Sequence, residues 1–145
     1  MDVVNKIYID WEMIEFLVEE LAIKANLEVK DINYIHGIAR GGLIPAVMLS
    51  HKLKIPYVDS IVNINPNEVL VVDDIADSGK TLKEWSDYRT AVLHYKPHTS
   101  LVEPTLWSGI HETDDWIIYP WEREDSQTIQ DYKLDNKNKF HIFNQ

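Results

Sequence analysis

The chain predicts an α/β fold, a doubly wound and mainly parallel sheet with flanking helices, on three observations. Val69-Leu70-Val71-Val72 is an unbroken apolar run rich in Val, as expected of a strand buried on both faces. Strand-like runs alternate with stretches of helical periodicity, the pattern left by right-handed strand-helix-strand crossovers. The polar turn Asp77-Ser78-Gly79-Lys80-Thr81 follows soon after that run and opens into helix-compatible residues. A parallel sheet delivers backbone N–H groups to a ligand at its carboxyl edge in this way.

Taken in order, Asp10 is a ready N-cap for a helix over residues 11–23, where Ile14, Leu17, Val18 and Leu21 share one face. Residues 32–36 predict a strand, and Gly37-Ile38-Ala39-Arg40-Gly41-Gly42 turns it into a helix over 43–52, with Pro45 near its start. A second strand is expected at 55–58, near an edge because Pro56 has no N–H for a ladder bond. The third is 69–72, closed by Asp73 and Asp74. A helix over 82–88, a fourth strand over 90–95 and a short fifth strand over 115–119 complete the alternation. The composition turns polar after Trp121. We therefore expect one domain over residues 1–122, and a largely irregular tail over 123–145 that packs on it or extends from it as a short hood. Phe140-His141-Ile142-Phe143 in that tail fits a terminal strand or a cover for an apolar patch.

Composition narrows the function classes. With 145 residues, 45% of them hydrophobic, the chain supports one core rather than two. A formal net charge of −10 argues against general binding to nucleic acid or to an anionic membrane, because phosphate would be repelled. Cysteine is absent, so disulfides and thiolate metal sites are excluded. No apolar run is long enough for a membrane span, and the opening residues Met-Asp-Val-Val-Asn-Lys lack an apolar signal core, so a cytoplasmic location is expected. The six histidines show no ligand spacing, and no serine sits in a Gly-x-Ser-x-Gly elbow. An anionic ligand in so acidic a chain needs local cations. Arg40, Lys80 and Lys96 are the candidates, with a divalent ion to neutralise a diphosphate.

The residues around the third strand say more. A single Gly stands before Lys80-Thr81, so this is not a nucleoside-triphosphatase loop, which needs a second Gly upstream. Paired carboxylates suit sugar hydroxyls, and the turn after them supplies N–H and hydroxyl donors for a phosphate. A phosphorylated ribose combines both. Arg40-Gly41-Gly42 places a permanent cation beside two residues that allow close backbone approach. By itself that segment fits a plain strand-to-helix turn as well as a diphosphate loop. Trp116 likewise fits a buried core position as well as a ligand platform.

The run from Val69 to Thr81 resembles the phosphoribosyl-diphosphate signature of type I phosphoribosyltransferases. Three further matches follow the family's order: Ala39-Arg40-Gly41-Gly42-Leu43, Lys96-Pro97 and Trp116-Ile117-Ile118-Tyr119-Pro120-Trp121. Together they are similar to the bacterial xanthine-guanine and archaeal-type hypoxanthine-guanine branch, over roughly residues 7–122. The resemblance implies a purine phosphoribosyltransferase that uses magnesium (Mg2+), binds phosphoribosyl diphosphate and a 6-oxo purine, and assembles as a dimer or tetramer.

It also implies residue roles. Ala39, Arg40, Gly41 and Gly42 would bind diphosphate, with a non-proline cis peptide bond between Ala39 and Arg40. Asp73 and Asp74 would hold the ribose hydroxyls, directly or through a metal-bound water, and Asp77 would accept a proton from the purine. Ser78, Gly79, Lys80 and Thr81 would hold the 5′-phosphate. Lys96 would donate to the 6-oxo group, Trp116 would stack on the base, Ile117 would meet its 2-substituent, and Trp121 would be structural. One departure separates two readings. The family carries a long closing loop between the second and third strands, whereas here only residues 61–68 join them. The four carboxylate and lysine positions favour an enzyme; the short connection favours a nucleotide-binding or regulatory module with little transfer activity.

Overall fold

Asp10 starts the first long helix as expected. In the computed structural model, which describes residues 5–122, Oδ1 of Asp10 accepts the Met13 N–H at 2.8 Å, and α1 spans Trp11–Glu28. Ile14, Leu17, Val18, Leu21, Ala22 and Ala25 fall on one side of it and are buried. The tail expected over 123–145, with its 140–143 apolar run, lies outside the described residues.

Four strands form the main sheet, all parallel: β2 (Tyr34–Gly37), β3 (Val69–Ala76), β4 (Arg89–Tyr95) and β5 (Leu106–Ile110), in that spatial order. A separate parallel pair joins β1 (Lys6–Tyr8) to β6 (Trp116–Ile118), with Ile7 opposite Ile117. The continuous apolar run of β3 is explained by its two faces, since successive side chains point opposite ways. Leu70 and Val72 pack under α1 and α2 (Leu43–Leu53), while Val69 and Val71 join Ile38, Leu82 and Val92 on the other face. No helix among the described residues is long and apolar enough to cross a membrane.

Several expectations need correction. β3 does not end at Val72: it runs on through Asp73, Asp74 and Ile75 to Ala76, because β4 keeps pairing with it, Asp73 opposite Val92 and Ala76 opposite Tyr95. Both carboxylates therefore belong to the strand's last turn of pleat rather than to a loop after it.

The helix expected over 82–88 is a single turn, α3 (Lys80–Lys83). Only residues 77–88 connect β3 to β4, close to the minimum for a parallel crossover. Beyond Lys83 the chain proceeds by tight turns, Trp85 N–H to the Leu82 carbonyl and Tyr88 N–H to the Trp85 carbonyl, both 2.9 Å, which lay Trp85 and Tyr88 against the sheet.

Residues 55–58 do lie at the edge beside β2, but make one bridge rather than a strand. The Pro56 carbonyl accepts the Ile35 N–H and Val58 N–H donates to the Ile35 carbonyl, both at 2.9 Å, while Pro56 itself donates nothing. The strand expected over 115–119 is β6, and it pairs with β1 outside the main sheet. The other edge of that sheet is β5, which the Ser-Gly in its middle disguised. Gly109 stands opposite His94, where an added Cβ would lie 3.1 Å from the ring.

Candidate functional site

Every candidate loop leaves a carboxyl end of the main sheet: 38–42 after β2, 77–79 after β3 and Lys96 directly after β4. The first of these meets the end of β3 through its two glycines. A Cβ on Gly41 would lie 2.6 Å from Cγ of Asp74, and one on Gly42 would lie 2.9 Å from Cα of Asp73. Only residues without a side chain let this turn sit directly on the two carboxylate positions. The turn is closed by Gly42 N–H to the Ile38 carbonyl at 2.8 Å and tied to the strand by Ile38 N–H to the Val72 carbonyl at 2.9 Å. The Ala39–Arg40 peptide bond is cis. Arg40 is exposed at the rim.

Asp73 and Asp74 are half-buried and organised by the backbone. Asp73 Oδ1 accepts the Asp74 N–H at 2.9 Å and Asp74 Oδ1 accepts the Ile75 N–H at 2.7 Å. Burial pushes the Asp74 carboxyl up to about 6; the hydrogen bond with Asp73 opposes this and the Glu122 carboxylate adds to it.

A second cluster forms one loop further on. Lys96 is only 6% exposed, so its charge requires a partner, and its Nζ lies 3.3 Å from Oδ1 of Asp77. Thr99 Oγ1 is 2.8 Å from the Asp77 carbonyl and 3.2 Å from Oδ1, so one hydroxyl steadies both ends of that residue. The intervening turn is shaped by Gly79 at φ 79°, in the left-handed region, where a Cβ would meet Ser100 Oγ at 2.5 Å. Ser78 Oγ accepts the Lys80 N–H at 3.3 Å. Ser78 and Lys80 are exposed and Thr81 is half-buried.

Trp116 and Ile117 belong to β6, Trp116 half-buried and Ile117 buried. Trp121 packs on Tyr119, ring centroids 4.9 Å apart and nearly parallel, and on Trp11 at 6.0 Å. The structure thus brings 39–42 and 73–74 together, and 77 with 96. It sets Trp116 and Ile117 on the neighbouring two-stranded sheet.

Tyr119 is the residue whose part the sequence did not disclose. Its hydroxyl donates to the Asp74 carbonyl at 3.3 Å and lies 2.8 Å from Nδ1 of buried His94. The hydroxyl thus has two partners, the Asp74 carbonyl and the His94 ring nitrogen, and as both donor and acceptor it can bond to each. Burial, then the neighbouring His111, lowers His94 to about 4, which keeps the ring neutral at pH 7. Burial, and after it the charge of Asp74, raises the Tyr119 phenol well above 10. Its N–H donates to Oε1 of Glu122 at 2.9 Å. No local pattern marks such a residue, because its partners come from β3 and β4. Tyr119→Phe should take the hydroxyl partner from the buried His94 Nδ1 and from the Asp74 carbonyl and cost about 2–4 kcal/mol of stability in urea unfolding at pH 7. A loss below about 0.5 kcal/mol would refute the network.

The chain is 31% identical over 112 residues to a xanthine-guanine phosphoribosyltransferase of Cereibacter sphaeroides, a match covering 59% of this chain and 66% of that relative, just under two thirds of its length. It is 27% identical over 148 residues to the xanthine-guanine phosphoribosyltransferase of Idiomarina loihiensis, with 81% and 88% covered. Among solved structures it is similar to a purine phosphoribosyltransferase from Pyrococcus horikoshii Ot3, at 30% identity and a TM-score of 0.72, over 88% of this chain and 100% of that one. No family model matches. A full-length structural match at this identity, on a parallel sheet whose carboxyl edge carries the glycine turn and the paired carboxylates in the family's order, settles the kinship: the chain belongs to the type I phosphoribosyltransferases, in their xanthine-guanine and hypoxanthine-guanine branch.

Proposed function

We propose that the protein transfers the 5-phosphoribosyl group of phosphoribosyl diphosphate to a 6-oxo purine, guanine, xanthine or hypoxanthine, and releases diphosphate. The observation that carries this reading is the seating of Gly41 and Gly42 on Asp74 and Asp73, which makes one crevice of a cationic turn and a carboxylate pair. A ring nitrogen of the purine attacks the ribose carbon, the bond to diphosphate breaks with its electron pair, and the purine proton passes to Asp77.

Ala39, Arg40, Gly41 and Gly42 receive the diphosphate; Asp73 and Asp74 hold the ribose hydroxyls and oppose the positive charge that develops on the ring. Ser78, Gly79, Lys80 and Thr81 bind the 5′-phosphate. Lys96, held by Asp77, donates to the 6-oxo oxygen, and Trp116 and Ile117 complete the base site. The binding-module alternative is not favoured by the relatives, which carry transferase names.

Mg2+ belongs to this reading. Among the described residues no three acidic or histidine side chains gather into a cage for a metal. The Asp73–Asp74 pair offers hard carboxylate oxygens instead, which suits an ion that keeps water and substrate oxygens as its remaining ligands. When bound, Mg2+ supplies charge neutralisation at the departing diphosphate.

The 61–68 connection is short and partly pinned, since Ile61 and Ile64 pack on the sheet beside Val69 and Val71. Self-association is also part of the proposal. Helix α2, which follows the Arg40 turn, exposes Leu43 and Val47, and sedimentation as a monomer at micromolar concentration would count against pairing there.

Diphosphate release from phosphoribosyl diphosphate, measured with each purine and Mg2+, is the direct test: release and nucleotide formation with at least one 6-oxo base are expected. Nucleotide binding without release would leave the module instead. Thr99→Val, which removes the hydroxyl that steadies Asp77 beside Lys96, should lower kcat about tenfold, about 1.4 kcal/mol of transition-state stabilisation, with little change in stability. An unaltered kcat would show that Asp77 needs no such support.

A further inference from the structure

Helix α1 has two apolar sides, and the described fold uses one. Opposite the buried set, Met13, Phe16, Ile23 and Leu27 are between 44% and 73% exposed. With Glu20 they recur at intervals of three and four residues, the spacing of a seam that packs against another segment along its whole length. Four large apolar side chains in one line are costly to leave in water.

The occupant is constrained by charge. Glu20 stands at the midpoint of the seam, so a second copy packed symmetrically on it would set Glu20 against Glu20, in parallel or antiparallel register. The helix carries five carboxylates and one lysine. A partner must therefore be apolar and basic together.

One segment of this chain fits. Asn136-Lys137-Asn138-Lys139-Phe140-His141-Ile142-Phe143-Asn144 contains three large apolar residues and two lysines and no carboxylate. The described structure also ends in the right place. Trp121 packs against Trp11 in the first turn of α1, so the chain departs beside the helix that bears the seam. Seventeen residues separate Glu122 from Phe140, a reach of about 56 Å when extended. The seam from Met13 to Leu27 is about 21 Å long. We propose that residues 137–143 dock on the Met13-Phe16-Ile23-Leu27 face of α1, with Phe140, Ile142 and Phe143 covering the apolar side chains and Lys137 or Lys139 pairing with Glu20.

The chain has no cysteine, which makes a cross-linking test clean. Ile23→Cys with Asn144→Cys places one thiol in the seam and one beside the docking segment, whose apolar residues remain intact. The control is Lys83→Cys with Asn144→Cys, since Lys83 is exposed on α3, across the sheet from α1. Under mild oxidation at micromolar full-length protein, the first pair should close a disulfide within one chain at least tenfold faster than the control. Equal rates, or a disulfide joining two chains, would overturn the proposal, the second outcome assigning the seam to another copy. Phe140→Ser with Phe143→Ser should lower the thermal midpoint of the parent and raise binding of an apolar dye. An unchanged midpoint and dye signal would overturn it as well.

Discussion

Guanine, xanthine or hypoxanthine should be used with a kcat/KM about 10⁴-fold above that of adenine, the ratio reached when a site built around one hydrogen-bond donor meets a ligand that cannot accept. The donor is Lys96. It is buried, and its ammonium has three hydrogens and no lone pair, so an oxo oxygen at the purine 6-position completes its bonding whereas an amino group turns hydrogens toward it. The Asp77 carboxylate at 3.3 Å satisfies only part of that ammonium and keeps it from swinging to accommodate the wrong base. Initial rates of diphosphate release with the four bases measure the ratio. Comparable values for adenine and guanine would remove Lys96 from the base site.

Replacing both carboxylates, Asp73→Asn with Asp74→Asn, should abolish binding of phosphoribosyl diphosphate by calorimetry while the protein remains folded. The side chains stand half-buried at the strand's mouth, where in the proposed function they serve a ligand rather than the core. Each also caps a backbone N–H, a task the amide oxygen of Asn can perform.

The stability of the free protein should move the other way. Burial raises Asp74 from 3.8 to about 6, so the folded state holds that proton more firmly than the unfolded chain. Stability tied to it is fully present below the ordinary carboxylate value and is lost as pH rises through about 6. Asp74→Asn escapes that loss. It should match the parent near pH 3.5 and exceed it by up to about 3 kcal/mol at pH 7, the free energy of a proton held roughly a hundredfold more tightly by the fold. Urea midpoints that differ equally at both pH values would show that Asp74 is not destabilised by its burial. Undiminished binding by the double variant would show the ribose site to be elsewhere.

Much of this was legible in the chain because it is local. The α1 cap is written in Asp10 and the spacing of Ile14, Leu17, Val18 and Leu21; the buried central strand in the valines of 69–72; the polar turn after it in Asp77-Ser78-Gly79. The Gly41-Gly42 pair was legible as a place of close approach. What it approaches, Asp73 and Asp74 more than thirty residues later, follows from β2 lying beside β3. Where the local signal misled, a neighbour overrode it. Asp73 and Asp74 look like the end of a strand, yet β4 holds them in the ladder. Leu82 to Tyr88 has a helical look, yet a twelve-residue crossover leaves room for one turn before Trp85 and Tyr88 are drawn onto the sheet.

The amino-acid sequence by itself determined the α/β class, the order of the loops that line the carboxyl edge and the residue types proposed to face a sugar phosphate, because periodicity, turn chemistry and charge act over a few neighbouring positions. Only the tertiary structure decided that β5 and not β6 closes the main sheet, that Tyr119 and His94 brace Asp74 from the side, and that Thr99 steadies Asp77. Each of these is a contact between segments remote in the chain. Its energy depends on burial and on partners that exist only once the strands are paired.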